Sequence, residues 1–361
     1  MKSSDKNSRL LCYKALFYSV FSRNGFLSRW IRLMKDYQQV CSQLLFDEDY
    51  YLEHNPDVRD AGMPAIKHYI RYGRFEGRKP NNYNENSLYP AGHFYSPIVN
   101  VEEVKRNENK IWPLDFEIPI PEIDFNLAKQ LDLIHEFAKF YKDIPFPVLK
   151  SSKFRYFYEN PAFSYSDGII LYSFIRHFNP KRIIEVGSGY SSALVLDTLD
   201  QLNRPNVSVT CIEPFDDLLL SIISYKDKRK LTIIKKNFQE TSLSLFSQLI
   251  KDDILFIDST HVVKTGSDVN YLILNVLPSL NNGVIIHFHD IFFPFEYPKN
   301  WVFDGRSWNE AYFLRAFLMY NNSYEILCFA DMIHKYNKES FSEMPYCYKN
   351  HGGSFWIRKI I

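Results

Sequence analysis

Paired cysteines are missing from this sequence. The five that occur, Cys12, Cys41, Cys211, Cys328 and Cys347, are scattered, and no two form a CxxC pair. That pattern excludes a disulfide framework and a cysteine zinc site, and it fits a reducing, cytoplasmic setting. Charge of one sign is also missing. Forty-three Lys and Arg against 42 Asp and Glu leave a net +1, so nothing marks the chain as binding nucleic acid. The apolar run that begins at Leu10 is interrupted by Lys14 and Arg23, too short to span a bilayer and poor as a signal peptide. A third glycine is absent from the central glycine turn, where Ser192 stands in the place GxGxxG reserves for Gly or Ala.

What is present is apolar and aromatic. Hydrophobic residues make up 46% and aromatic residues 17%, enough for a large core and for aromatic-lined clefts. The organising stretch is RIIEVGSGYSSALVLD, Arg182 to Asp197. Arg182 to Val186 reads as a buried parallel strand. Gly187, Ser188 and Gly189 turn the chain, and Ala193, Leu194, Leu196 and Leu199 then recur at helical spacing. Strand, glycine turn and helix open a nucleotide-binding unit, in which the backbone and the helix N-terminus approach the ligand. Glu185 is an acid near the end of a buried strand and needs a partner or a ligand. A second strand, Val207 to Ile212, ends in Glu213, placed to accept hydrogen bonds from ribose hydroxyls. A third, Leu231 to Ile234, leads to Asn237 and Phe238, an amide and an aromatic suited to an adenine ring.

The fourth strand ends in Asp258, followed by Ser259, Thr260 and His261; the fifth, GVIIHF, ends in His289 and Asp290. Both strands deliver their acids and histidines to the edge where such sheets hold ligands. His261 has the chemistry of a general base. The alternative reading gives Asp258, His289 and Asp290 a divalent cation. His287, alternating with His289, is expected to satisfy hydrogen bonds in the core.

These motifs, EVGSGYSS, CIEP, FIDSTH and HFHDIFFPFEYP, together with NPAFSYSDG, resemble class I S-adenosylmethionine-dependent methyltransferases. More narrowly they resemble the bacterial branch found among polysaccharide and lipopolysaccharide biosynthesis genes, from about Ala91 to the C-terminus. The resemblance implies an α/β fold: a Rossmann-like, mostly parallel seven-stranded sheet with an antiparallel last strand, plus a small N-terminal helical region. It implies S-adenosyl-L-methionine held by Glu185, Gly187, Ser188, Gly189, Glu213, Asn237, Phe238, Asp258 and Tyr165, with Asp167 a further contact. It gives His261, three positions after Asp258, the role of base, and a side chain added at Gly187 is expected to enter the ligand's space. The cation reading rests on the catechol O-methyltransferase-like branch, where acids occupy comparable strand ends. Glu296, Trp301 and Arg306, in an aromatic loop, are expected acceptor contacts.

Four regions follow: 1–45, basic and amphipathic; 46–80, a small helical module; 81–150, a proline-rich linker and wrapping segment with one helix; and 151–361, the methyltransferase domain. The first carries a local balance of +6 and reads as a helix packing on the next domain or lying on an anionic membrane. The second resembles a module that accompanies bacterial glycosyltransferases. It is expected to pack or dock, the alternative being a glycan face of Tyr50, Tyr51 and Tyr69. In the wrapping segment His93 and Tyr95 read as surface residues or as reaching the active site. The expected activity is O-methylation of a sugar in a bacterial surface glycan, with a carbohydrate or glycolipid acceptor and glycan-assembly partners. The alternatives are a nicotinamide-dependent sugar oxidoreductase, a non-catalytic scaffold, and a metal hydrolase built on His287, His289 and Asp290.

Overall fold

The computed structural model describes residues 46–73, 76, 78–80, 89, 91–113 and 120–361. The expected helix within 1–45 lies outside them. The described residues fall into two compact units, one ending at Asn100 and the other starting at Val101.

In the first unit, Asp47 caps helix α1 (Glu48–His54) by accepting the Tyr50 N–H at 3.0 Å. Asn55 breaks it, and Pro56 then starts a further short helix, α2 (Pro56–Asp60), where the sequence suggests only an interruption. Helix α3 (Ala65–His68) runs on into a wider turn to Gly73. Tyr51 is fully buried, and its hydroxyl bonds His68 Nδ1 at 2.9 Å. Tyr50 is buried as well, so these two rings are core, which favours the expected packing role over the alternative glycan face. His93 and Tyr95 are exposed in this unit, and His93 stacks on Tyr89.

The second unit is built on a sheet of order β3-β2-β1-β4-β5-β7-β6. Its elements in chain order are α4 (Leu127–Ala138), α5 (Tyr165–Phe178), β1 (Arg182–Val186), α6 (Tyr190–Gln201), β2 (Ser208–Ile212), α7 (Asp217–Ile222) and β3 (Leu231–Ile234). Then come β4 (Ile254–Ile257), α8 (Asp268–Tyr271, continued by helical turns to Ser279), β5 (Ile285–Phe288), α9 (Glu310–Leu318), β6 (Tyr324–Phe329), α10 (Ala330–Tyr336) and β7 (Phe355–Lys359). Strands β1 to β5 are parallel, and β7 runs antiparallel to both β5 and β6. The mostly parallel sheet with an antiparallel last strand is therefore present.

Strand period sorts the side chains to two faces. Ile183, Phe256, Ile285 and Trp356 join one apolar cluster with α4, α5 and α6; Ile184, Leu255, Ile286 and Ile357 join another with α8 and α9. Burial on both faces explains why the central strands are continuous Ile, Leu, Val and Phe. The chain from Val101 on belongs to this unit, so part of the stretch expected as linker is core: Ile120, Ile123 and Phe125 are buried, and α4 holds β6 through Gln130 Oε1 and the Phe329 N–H. Among the described residues no helix is long and apolar enough to cross a membrane, and Cys211, Cys328 and Cys347 are buried free thiols.

Candidate active site

The register of the sheet decides what meets at its C-terminal edge. Val186 pairs with Ile212 and Ile257, and Ile257 pairs with Phe288. One residue further on, Gly187, Glu213, Asp258 and His289 therefore stand in one row. Backbone bonds fix it: Gly187 N–H to the Ile212 carbonyl, Asp258 N–H to Val186, Glu213 N–H to Ile234 and His289 N–H to Ile257, all 2.9 to 3.1 Å.

Gly187 has φ +83°, and a Cβ there would lie 2.1 Å from the Asp258 carbonyl oxygen. The glycine is required by the neighbouring strand, not by the ligand's space as expected from the sequence. Ser188 Oγ donates to Glu213 Oε2 at 3.5 Å, and the Phe215 N–H donates to Glu213 Oε1 at 2.8 Å. Half-burial pushes the Glu213 carboxyl above its usual range, against those donors. The tips of β1 and β2 thus present a serine and a carboxylate side by side.

Glu185 lies one residue below this edge, 1% exposed, and its carboxylate accepts the hydroxyls of Ser191 and Ser192 at the start of α6. Burial raises its pKa to about 7, opposed by the two serines. Its oxygens are taken up by the loop they brace, so its contribution to a ligand is to hold the turn. Two other expected contacts are placed differently. Phe238 is buried against Phe246 and Tyr271, because the chain folds inward just past β3; its ring is core. Asn237 is exposed and donates to Glu240 Oε1 at 2.7 Å. Tyr165, at the start of α5, donates to the Glu159 carboxylate and stacks on Tyr158, with Lys349 over its ring. Asp167 is buried and accepts from Ser354 Oγ at 2.6 Å and the Gly353 N–H at 3.1 Å, joining α5 to the start of β7.

The densest chemistry surrounds His261, 4% exposed and at φ +59°. Its Nδ1 lies 2.8 Å from Glu310 Oε2, and its Nε2 lies 3.5 Å from Asp258 Oδ1 and 4.0 Å from Asp290 Oδ2. Trp308 packs on the ring at 4.4 Å. The loop that carries His261 is clamped: Thr260 donates to Asp268 from its backbone and its hydroxyl, and the Val263 N–H donates to Asn309 Oδ1. Burial alone would favour a neutral imidazole, yet the carboxylates of Asp258 and Glu310 outweigh it and raise the pKa to about 10. The ring is an imidazolium at neutral pH. Desolvation works against the Asp258 carboxylate, but His289 and His261 beside it hold its pKa below the usual value.

The expected cation set does not close. Among the described residues no group of three His, Cys, Asp or Glu side chains could hold a metal ion. His261 Nε2 lies 3.5 Å from Asp258 Oδ1 and 4.0 Å from Asp290 Oδ2, so its ring faces both carboxylates. His289 lies 3.6 Å from Asp290 Oδ1 and packs on Phe163. These residues do not fit a divalent cation, and no step is derived through one. His287 differs from expectation too: both its ring nitrogens lack partners, and it stacks on Phe256 with Trp356 tilted against it, where burial keeps it neutral.

Sequence reasoning missed Glu310 as a partner of His261, 49 residues away along the chain. The only available signal was an acid in the first turn of an amphipathic helix. Trp308 was missed as well. Glu296, expected to meet an acceptor, instead accepts the Tyr312 hydroxyl and the Tyr297 N–H. Trp301 and Arg306 lie together beside Trp308.

Known proteins share part of this chain. Residues 184–291, from β1 to the residue after Asp290, match the family model described as a methyltransferase domain. An uncharacterized protein of Archaeoglobus fulgidus is 33% identical over 167 residues, spanning 45% of this chain and 74% of the relative. Among solved structures, an S-adenosylhomocysteine-bound methyltransferase of Podospora anserina has TM-score 0.37 at 16% identity, covering 76% of this chain and all of that one. The O-methyltransferase TomG of Streptomyces achromogenes, solved with S-adenosylmethionine, has TM-score 0.34 at 14% identity, covering 73% and 97%. The chain thus carries a methyltransferase domain, laid over a seven-stranded sheet of this order.

Proposed function

We propose that the chain transfers the methyl group of S-adenosylmethionine to a hydroxyl oxygen of a carbohydrate or glycolipid acceptor. The cofactor is S-adenosylmethionine. The observation that carries the reading is the row at the sheet edge, with the Gly187 turn and the Ser188–Glu213 pair at one end and the carboxylate-flanked His261 at the other. Glu213 accepts from the ribose hydroxyls, as an acid at that strand tip does in nucleotide-binding sheets. When bound, S-adenosylmethionine would supply a methyl group on a sulfonium: the acceptor oxygen would take the methyl, the carbon–sulfur bond would break, and S-adenosylhomocysteine would leave as a neutral thioether. Such a step asks mainly for alignment and for removal of one proton.

His261 Nε2 takes that proton. Glu310 on Nδ1 fixes the ring so that Nε2 faces the crevice. In the free site the ring is charged and cannot accept. A sulfonium entering the same crevice opposes that charge and favours the neutral imidazole, which can. Asp258 and Asp290 then accept from the acceptor's hydroxyls and stabilise the imidazolium that forms.

The sugar is supported by the kinship of the motifs to glycan-biosynthesis methyltransferases and by the aromatic surface of Trp301 and Trp308 beside His261. Residues 1–45, basic and apolar, suit contact with an anionic membrane carrying glycolipid, and residues 46–80 suit docking to glycan-assembly proteins; both belong to the same proposal. The test is mass spectrometry of the gently purified protein. Retained S-adenosylhomocysteine, and labelled methyl appearing in a glycan rather than in protein or nucleic acid, support the reading. A protein that binds no adenosyl compound overturns it.

A further inference from the structure

We infer that the acceptor carries a negatively charged group, a carboxylate or a phosphate, which Arg306 binds. The inference rests on the methyl-transfer reading and adds the substrate class. Arg306 follows Gly305, whose φ of +92° turns the chain back after a short helix at Lys299–Phe303, and its N–H donates to the Trp301 carbonyl at 3.1 Å. Its guanidinium then stands over Trp301 at 4.2 Å and over Trp308 at 5.1 Å. The two indoles are edge to face, 5.4 Å apart, so they form a corner that fixes the cation.

Arg306 is exposed and has no anion of its own. Among the described residues Arg306 makes no ion pair and no side-chain hydrogen bond, although Asp304 is two residues away. Arg155 is held by Asp197, Asp200 and Asp227, Arg176 by Asp143, Arg182 by Asp253 and Arg358 by Asp252. A guanidinium stacked on aromatic faces keeps its N–H edges free, and that fork matches a carboxylate or phosphate in bidentate fashion.

Its place relative to the chemistry is set by Trp308, which touches both sides. The indole lies 5.1 Å from the Arg306 guanidinium and 4.4 Å from the His261 ring. An acceptor whose hydroxyl reaches His261 can lay a sugar face along Trp308 and its anionic substituent on Arg306.

The experiment titrates the full-length protein, loaded with S-adenosylhomocysteine, with methyl glucuronide, glucose 6-phosphate and glucose, reading tryptophan fluorescence. The expected result is a saturable response to one or both anionic sugars at about tenfold lower concentration than to glucose. The arm that responds separates a uronate acceptor from a phosphorylated one. In Arg306→Gln the preference disappears while S-adenosylhomocysteine affinity stays at the parent value; Arg306→Lys, which keeps the charge without the fork, falls between. Equal responses to all three sugars, or an anion preference that survives in Arg306→Gln, overturns the inference. Failure to bind S-adenosylhomocysteine would instead count against the methyl-transfer reading.

Discussion

Glu310 holds His261 twice: its carboxylate lies 2.8 Å from Nδ1, and its backbone N–H donates to the His261 carbonyl at 3.1 Å. One residue at a helix start thus fixes the position of the loop and the orientation of the ring, and with Asp258 it favours the ring's charge.

That charge predicts an alkaline rate profile. Methyl transfer needs neutral His261, and the folded pKa is about 10, so kcat/KM of the free enzyme should rise with pH toward that value. Glu310→Gln removes one of the two carboxylates that favour the imidazolium, so the rising limb should move toward lower pH by about one unit or more, roughly 1.4 kcal/mol. The ring loses orientation in the same variant, so kcat on the plateau should fall. An unchanged limb would remove Glu310 from the site's electrostatics.

The same pair makes a stability prediction of definite sign. His261 is raised from 6.5 to about 10 in the folded state, so its stabilisation is complete below 6.5 and is lost as pH rises toward 10. Melting temperature should decline across that interval in the parent and decline less in Glu310→Gln. Thermal unfolding at a series of pH values checks it.

At Gly187 the predicted effect is on the fold first. Ala there places a Cβ 2.1 Å from the Asp258 carbonyl at φ +83°, so β1 and β4 must separate or the turn must shift. A loss of about 3 kcal/mol is expected from overpacking and left-handed strain together. At Gly189 a Cβ meets only the side chain of Leu218 at 3.1 Å, so Gly189→Ala should be milder. Denaturant titration of the two variants gives the comparison, and a more damaging Gly189→Ala would contradict the geometry.

Arg155 predicts acid sensitivity. It bridges Asp197 in α6, Asp200 and Asp227, joining the segment before α5 to two later elements. Burial opposes the Asp227 charge, but Arg155 and Ser224 prevail and hold its carboxyl well below the usual carboxylate range. Such a carboxylate contributes stability above its unfolded pKa of about 4, lost as pH falls below that. Arg155→Met leaves buried Asp197 without its cation and should cost about 3 kcal/mol or more near neutral pH. Urea unfolding at pH 7 and pH 4 should show the variant's deficit shrinking in acid.

Much of the second unit was legible because its signals are local. Arg182 to Val186 and Val284 to Phe288 are apolar runs of strand length, and Asn179 marks the end of α5, whereas its N-cap position is Ser164, two residues before Ser166, the cap expected from the sequence. Asp258, His289 and Asp290 were legible as strand-end residues because parallel strands all finish at one edge. What stayed hidden depends on pairs far apart in the chain. Nothing near His261 announces Glu310, nothing near Gly187 announces the Asp258 carbonyl, and Phe238 looks the same whether its ring turns to the crevice or to Phe246. The cation reading depends on the same kind of detail: the strand-end residues were visible, and how closely the His261 ring approaches Asp258 and Asp290 was not.

The most direct measurement is isothermal titration of S-adenosylhomocysteine into the full-length protein and into Glu213→Ala. The account predicts one site per chain in the parent and at least tenfold weaker binding in the variant, the loss of about 1.4 kcal/mol expected for a ribose contact. No binding in the parent, or equal affinity in the two proteins, would contradict a nucleoside held at the tips of β1 and β2.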